Sequence, residues 1–111
     1  MSSLDWPPIP GEKVTRGDPS SLTLNFDAGM LDGYTQWKAQ IRKFASAADA
    51  VDVTIDTTNQ ATDTVVLSVT GSQTDGMADV EVWDVQVMPP GAAETVTVFY
   101  GRFLTRAEVT R

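Results

Sequence analysis

The chain contains no cysteine and no histidine. The first absence excludes disulfides, thiol nucleophiles and cysteine-based metal sites; the second removes the usual general base. No apolar run approaches the ~20 residues that span a bilayer, so no membrane partner is expected. The opening Met1-Ser-Ser-Leu-Asp-Trp-Pro-Pro8 has neither a basic segment nor an apolar core, and no secretory leader is expected. Cations are scarce as well. Between Lys43 and Arg102 there is no lysine or arginine, against nine acids. The net charge is −7, opposite in sign to the basic footprint that nucleic acid demands. A charge of −9 in the middle segment is set against +2 in the flanks. That contrast reads as a solvated acidic face, or as a subunit whose acidic middle meets a neighbour's basic end.

What is present points to strands. The 111 residues are 41% hydrophobic and suit one domain, which buries roughly two-thirds of its surface. The 13 valines and 14 threonines are β-branched and favour a pleated, half-buried surface. Period-2 alternation recurs in Leu22, Leu24 and Phe26, in Val51, Val53 and Ile55, and in Val65, Leu67 and Val69. Turn formers such as Gly17-Asp18-Pro19, Asp32-Gly33 and Pro89-Pro90-Gly91 punctuate these runs. The spacing predicts an all-β fold: a single antiparallel β-sandwich of Ig-like type over residues 12–111, preceded by an extended proline-rich arm over residues 1–11.

Two segments fit more than one template. From Tyr34 to Ala50, a helix would align Tyr34, Trp37, Ile41, Phe44 and Ala48, whereas a strand from Thr35 to Arg42 would turn Trp37, Ala39 and Ile41 inward. In Val80 to Met88 the apolar parity changes between Val82 and Trp83, which predicts a bulge or a change of face within that strand. The last strand, Glu94 to Leu104, is apolar on both parities from Val98 onward. Its second face needs a cover, either the chain's own arm or another subunit.

Candidate sites follow from these placements. Trp6 and Ile9 ride on a stiff arm and are natural interface anchors. With Tyr100 and Leu104 on the last strand, and Arg102, Arg106 and Arg111 at the basic end, they form the expected contact surface. Trp37 and Trp83 have core parity. Arg16-Gly17-Asp18 spells an integrin-recognition tripeptide, but at a strand-entry turn it reads as ordinary structure. Asp52 and Asp56 alternate with inward residues and face water, unlike a paired glycosidase dyad. Asp75, Asp79 and Glu81 lack the loop pattern of a calcium site. No catalytic residue, metal or cofactor is expected.

The ordered features Val14-Thr-Arg-Gly-Asp18, Leu31-Asp-Gly-Tyr34, Trp37-Lys-Ala-Gln-Ile-Arg42, Val65-Val-Leu-Ser-Val-Thr70, Trp83-Asp-Val-Gln-Val87, Gly101-Arg-Phe103 and Val109-Thr-Arg111 cover roughly residues 12–111. This order resembles the small β-sandwich domain at the N-terminus of phage baseplate upper proteins (BppU-like) and its stand-alone relatives in tailed phages. The segment before Val65 is longer than in that pattern, and its "LtxxeT" turn appears only loosely in Val69–Thr74. The resemblance implies a strand over Thr35–Arg42. It also implies a virion protein: a minor tail or baseplate subunit, homo-oligomeric within a symmetric assembly, whose partners are other virion structural proteins. A capsid decoration protein is the alternative within that class, and a glycan-binding module for host adsorption is the alternative outside it.

Overall fold

The computed structural model describes residues 2–107. Within them lie eight strands: β1 (Ser2–Ser3), β2 (Val14–Thr15), β3 (Ser20–Asn25), β4 (Thr35–Arg42), β5 (Val51–Asp56), β6 (Thr64–Val69), β7 (Val80–Met88) and β8 (Val96–Arg106). The helical pieces are one 3-10 turn (Gln60–Thr62) and one short helix, α1 (Gly71–Asp75). Thr70 and Gln73 cap α1 reciprocally, each side chain accepting from the other's backbone N–H. The expected all-β class holds. Thr35–Arg42 is a strand, and the helical template over Tyr34 to Ala50 is not used.

The strands form a single sheet in the order β1-β8-β7-β4-β5-β6-β3, with β2 also paired to β8, nearly closed into a barrel. The predicted sandwich had two separate sheets. Hydrogen bonding instead runs unbroken through β5, whose Val51–Val53 pairs with β4 and whose Thr54–Asp56 pairs with β6. One strand therefore carries the sheet from β4 to β6 without a break. Nor is the pairing wholly antiparallel, since β1 and β2 lie parallel to β8.

One face of this curved sheet lines one core. Leu22 and Leu24 of β3, Ile41 of β4, Val65 and Leu67 of β6, Val85 of β7 and Phe103 of β8 are all buried there. The parity change expected in β7 is absent, because Glu81 takes the inward position before Trp83, Val85 and Val87. The bulge lies on the partner strand. Val85 faces Phe99 and Gln86 faces Thr97, so Val98 of β8 is the extra residue. A second irregularity lies in β4 between Thr35 and Lys38, where Gln36 adopts a left-handed φ of 56°.

The N-terminal segment is part of the domain. Leu4 N–H donates to the Tyr100 carbonyl at 2.9 Å, Trp6 N–H to Arg102 at 2.8 Å, and Leu104 N–H to Trp6 at 2.9 Å, which extends the parallel ladder along the edge of β8. Pairing of this segment stops at Trp6, and the next residues, Pro7 and Pro8, have no N–H to offer. Trp6 is 1% exposed and is the largest fully buried side chain. Its ring meets Trp83 edge-on at 5.7 Å and Phe103 at 4.9 Å. The expectation that Trp6 would dock on a neighbour is therefore corrected: it fills the core of its own chain. Space for the segment comes from Gly101, since a Cβ there would stand 1.9 Å from the Leu4 carbonyl oxygen.

Candidate functional site

The outward residues of β4, β7 and β8 line a groove on the surface. Register sets them in two cross-strand rows. Gln40 lies opposite Asp84, and Asp84 opposite Tyr100; Arg42 lies opposite Val82, and Val82 opposite Arg102. A cavity of about 470 Å³ sits over these six side chains, bounded by Ser3 and Asp5 on one flank and Ala45 on the other. Continuing along the same face, Val80 lies opposite Leu104. Alternation accounts for the set, because Ala39, Ile41, Trp83, Val85 and Phe103 point the other way into the core.

The groove's charges are positioned rather than free. Arg102 donates to Asp5 at 2.8 Å, and Arg42 donates to Gln40 Oε1 at 2.8 Å and to the Ala47 carbonyl. The hydrogen bond from Arg102 holds the Asp5 carboxyl below the usual carboxylate range, and the same bond raises the guanidinium. Asp84 behaves oppositely. Partial burial pushes its carboxyl up, against the opposing charges of Arg42 and Lys38. Between these polar groups stand Val82 and Tyr100, the latter 45% exposed. A surface of this kind can bury apolar area against a partner while the arginines and Asp84 set the register.

The predicted contact residues are dispersed. Tyr100 and Arg102 lie in the groove, and Leu104 lies farther along the same strand face, half-buried. Arg106 is exposed and donates from Nε to Thr15 Oγ1 at 3.0 Å. Ile9 is exposed at the turn closed by the Glu12 N–H to Ile9 carbonyl bond, and Trp6 is in the core. Arg111 lies outside the described residues. Gln40, Arg42, Val82 and Asp84 were absent from the predicted set. The alternation of β4 shows two of them pointing outward, but nothing in the sequence places β4 beside β7.

The acidic middle does find a base within the chain, because Arg16 pairs with Asp79 at 2.6 Å. That contact also holds the Arg-Gly-Asp turn, where Gly17 N–H donates to Thr74 Oγ1 at 3.1 Å and Thr74 Oγ1 donates to the Asp18 carbonyl at 2.8 Å. Among the described residues, no group of three or more acids is placed to hold a metal ion, and no helix is long and apolar enough to cross a membrane. No protein-family model matches the chain, and no curated protein matches its sequence.

Proposed function

We propose that the protein is a structural subunit that acts through protein–protein contacts, with no catalytic step. The observation that carries this reading is the outer face of β7 and β8. Val80, Val82, Tyr100 and Leu104 stand together there outside the core, with Val80 and Tyr100 exposed. An apolar stripe between arginines is the composition of an interface. The ordered motifs resembling baseplate upper domains support a more particular reading: a minor tail or baseplate subunit of a tailed-phage virion, repeated in a symmetric assembly with other virion proteins. A place as a capsid decoration protein is the variant of the same reading.

One observation favours a second class. The exposed Tyr100 ring beside Gln40, Asp84 and Arg42 is also the pattern of a glycan-binding face. Sedimentation of the purified protein over a range of concentrations, together with a mass-spectrometric inventory of purified phage particles, tests the assembly reading. Concentration-dependent oligomers or recovery in particles support it. A monomer at every concentration that is missing from particles overturns it, and saturable binding to a glycan array would then establish the second.

A further inference from the structure

A second cavity, of about 350 Å³, opens between the loop of residues 43–50 and the turn leading from α1 into β7. Its walls are mostly hydrocarbon, including Ala47, Ala48, Val51 and Met77, and Phe44 stands beside it 59% exposed. The lining also includes Glu81, which is only 3% exposed. Glu81 occupies an inward position on β7, and its Oε2 accepts from the Ala78 N–H at 2.7 Å. Among the described residues no donor reaches Oε1. No side-chain oxygen cut off from solvent is left unpaired there, so Oε1 keeps some accessible surface, and Glu81 is one of the residues lining the cavity.

Two of the neighbouring polar groups are already engaged. Gln73 donates from Nε2 to the Asp52 carbonyl at 2.9 Å and accepts at Oε1 from Thr70 N–H at 2.9 Å. The Arg42 guanidinium is held by Ala47 and Gln40. Lys43 also lines the cavity, but it is exposed and can carry its ammonium into water on its flexible stem. What is left is a buried carboxylate with one unused oxygen at an apolar cavity, within a segment that carries nine acids and no base. A buried charge with an open lone pair is costly until a cation meets it.

We propose that this cavity binds an alkylammonium group, its hydrocarbon stem against Ala47, Met77 and Phe44 and its charge on Glu81 Oε1. The preference for that cation stands on the cavity alone. That it is presented as a lysine side chain of a neighbouring protein rests on the assembly reading above; a free amine is the other source of the same chemistry.

The test is an NMR titration of the labelled full chain with n-butylammonium, following the Met77 and Ala78 amides. Saturable shifts are expected, with n-butanol, the uncharged stem, binding at least about tenfold more weakly. Glu81→Gln keeps an acceptor for Ala78 N–H but loses the charge, and a similar loss is expected; Phe44→Ala should cost a few-fold. No saturable shift, or equal binding of butanol, overturns the proposal, as does unchanged affinity in a folded Glu81→Gln variant. Should that variant fail to fold, the ammonium and alcohol comparison on the native chain decides. Titration with Nα-acetyl-lysine N-methylamide and with putrescine separates the sources. Tighter binding of the capped lysine supports a protein side chain, and tighter binding of putrescine overturns it. Failure of the assembly experiment removes the lysine source and leaves the cation site standing.

Discussion

The indole Nε1 of Trp6 donates a hydrogen bond to Ser20 Oγ at 3.0 Å. Trp6 is bridged to Phe103 of β8, and Ser20 opens β3 at the far end of the strand order. Among the described residues, the bond thus spans the seam between β8 and β3 that backbone pairing leaves open. Farther along that seam Phe26, just past β3, meets Phe99 of β8 at 5.5 Å. Side chains thereby complete a closure that the ladder alone does not.

Trp6→Ala is expected to destabilise the fold by about 3–5 kcal/mol, the range for truncating a large core aromatic. Trp6→Phe should retain much of the packing and lose the bond to Ser20, giving an intermediate value. Urea unfolding followed by circular dichroism checks both. Deleting residues 1–10 should unfold the domain or cause aggregation, because it empties the core and bares the edge of β8.

Gly101→Ala tests the path of the N-terminal segment. A methyl group there meets the Leu4 carbonyl oxygen at 1.9 Å, and that oxygen is the acceptor of the Trp83 indole N–H at 3.0 Å. The segment must shift, so a loss of about 1–3 kcal/mol is expected. The tryptophan fluorescence of the folded state should change with it. A variant as stable as the native chain, with the same emission spectrum, would show that the segment is not held there.

The carboxylates make opposite contributions to stability with pH. Arg102 lowers Asp5 and Arg16 lowers Asp79, each chiefly through a side-chain hydrogen bond. A depressed folded-state pKa stabilises above the unfolded value, near 3.8, and that contribution is lost as pH falls through the folded value. Asp84 is raised by burial, so its ionisation opposes folding above its folded pKa. Asp84→Asn should therefore raise the melting temperature at neutral pH, and the gain should vanish in acid below the unfolded value. Asp79→Asn should flatten the acid limb of the stability curve. Thermal melts between pH 2 and 8 give both signs directly.

Tyr100→Glu and Val80→Lys place charge on the outer stripe. Both positions are exposed, so stability should stay within about 0.5 kcal/mol of the native chain. Oligomers or partner complexes should dissociate in sedimentation velocity runs. Unchanged association in both variants would exclude this face as the contact.

Alternation of side chains was enough to read much of the architecture in advance. Leu22 with Leu24, and Val65 with Leu67 and Val69, declare both their strands and their inward faces, because a pleated strand turns every second side chain to the same side. The candidate site was half legible. Tyr100 and Arg102 stand out on a strand that is apolar on both parities. Asp84 and Val82 gained meaning only when register set them between Gln40 and Tyr100 and between Arg42 and Arg102. Glu81 was hidden because its carboxylate occupies a position where alternation anticipates an apolar side chain, and this also made β7 look phase-shifted.

Composition and local pattern by themselves determined the β class, the approximate position of most of the longer strands and the absence of thiol and imidazole chemistry. Each depends on the residues present or on neighbours two positions apart. Tertiary structure alone decided that β5 joins β4 to β6 in one continuous sheet, that the bulge sits at Val98, and that Trp6 belongs to its own core. These are contacts between residues far apart in the chain. The prolines after Trp6 suit a free arm as well as an edge strand, and only the space beside Gly101 and the edge of β8, with its unpaired backbone groups, select between them.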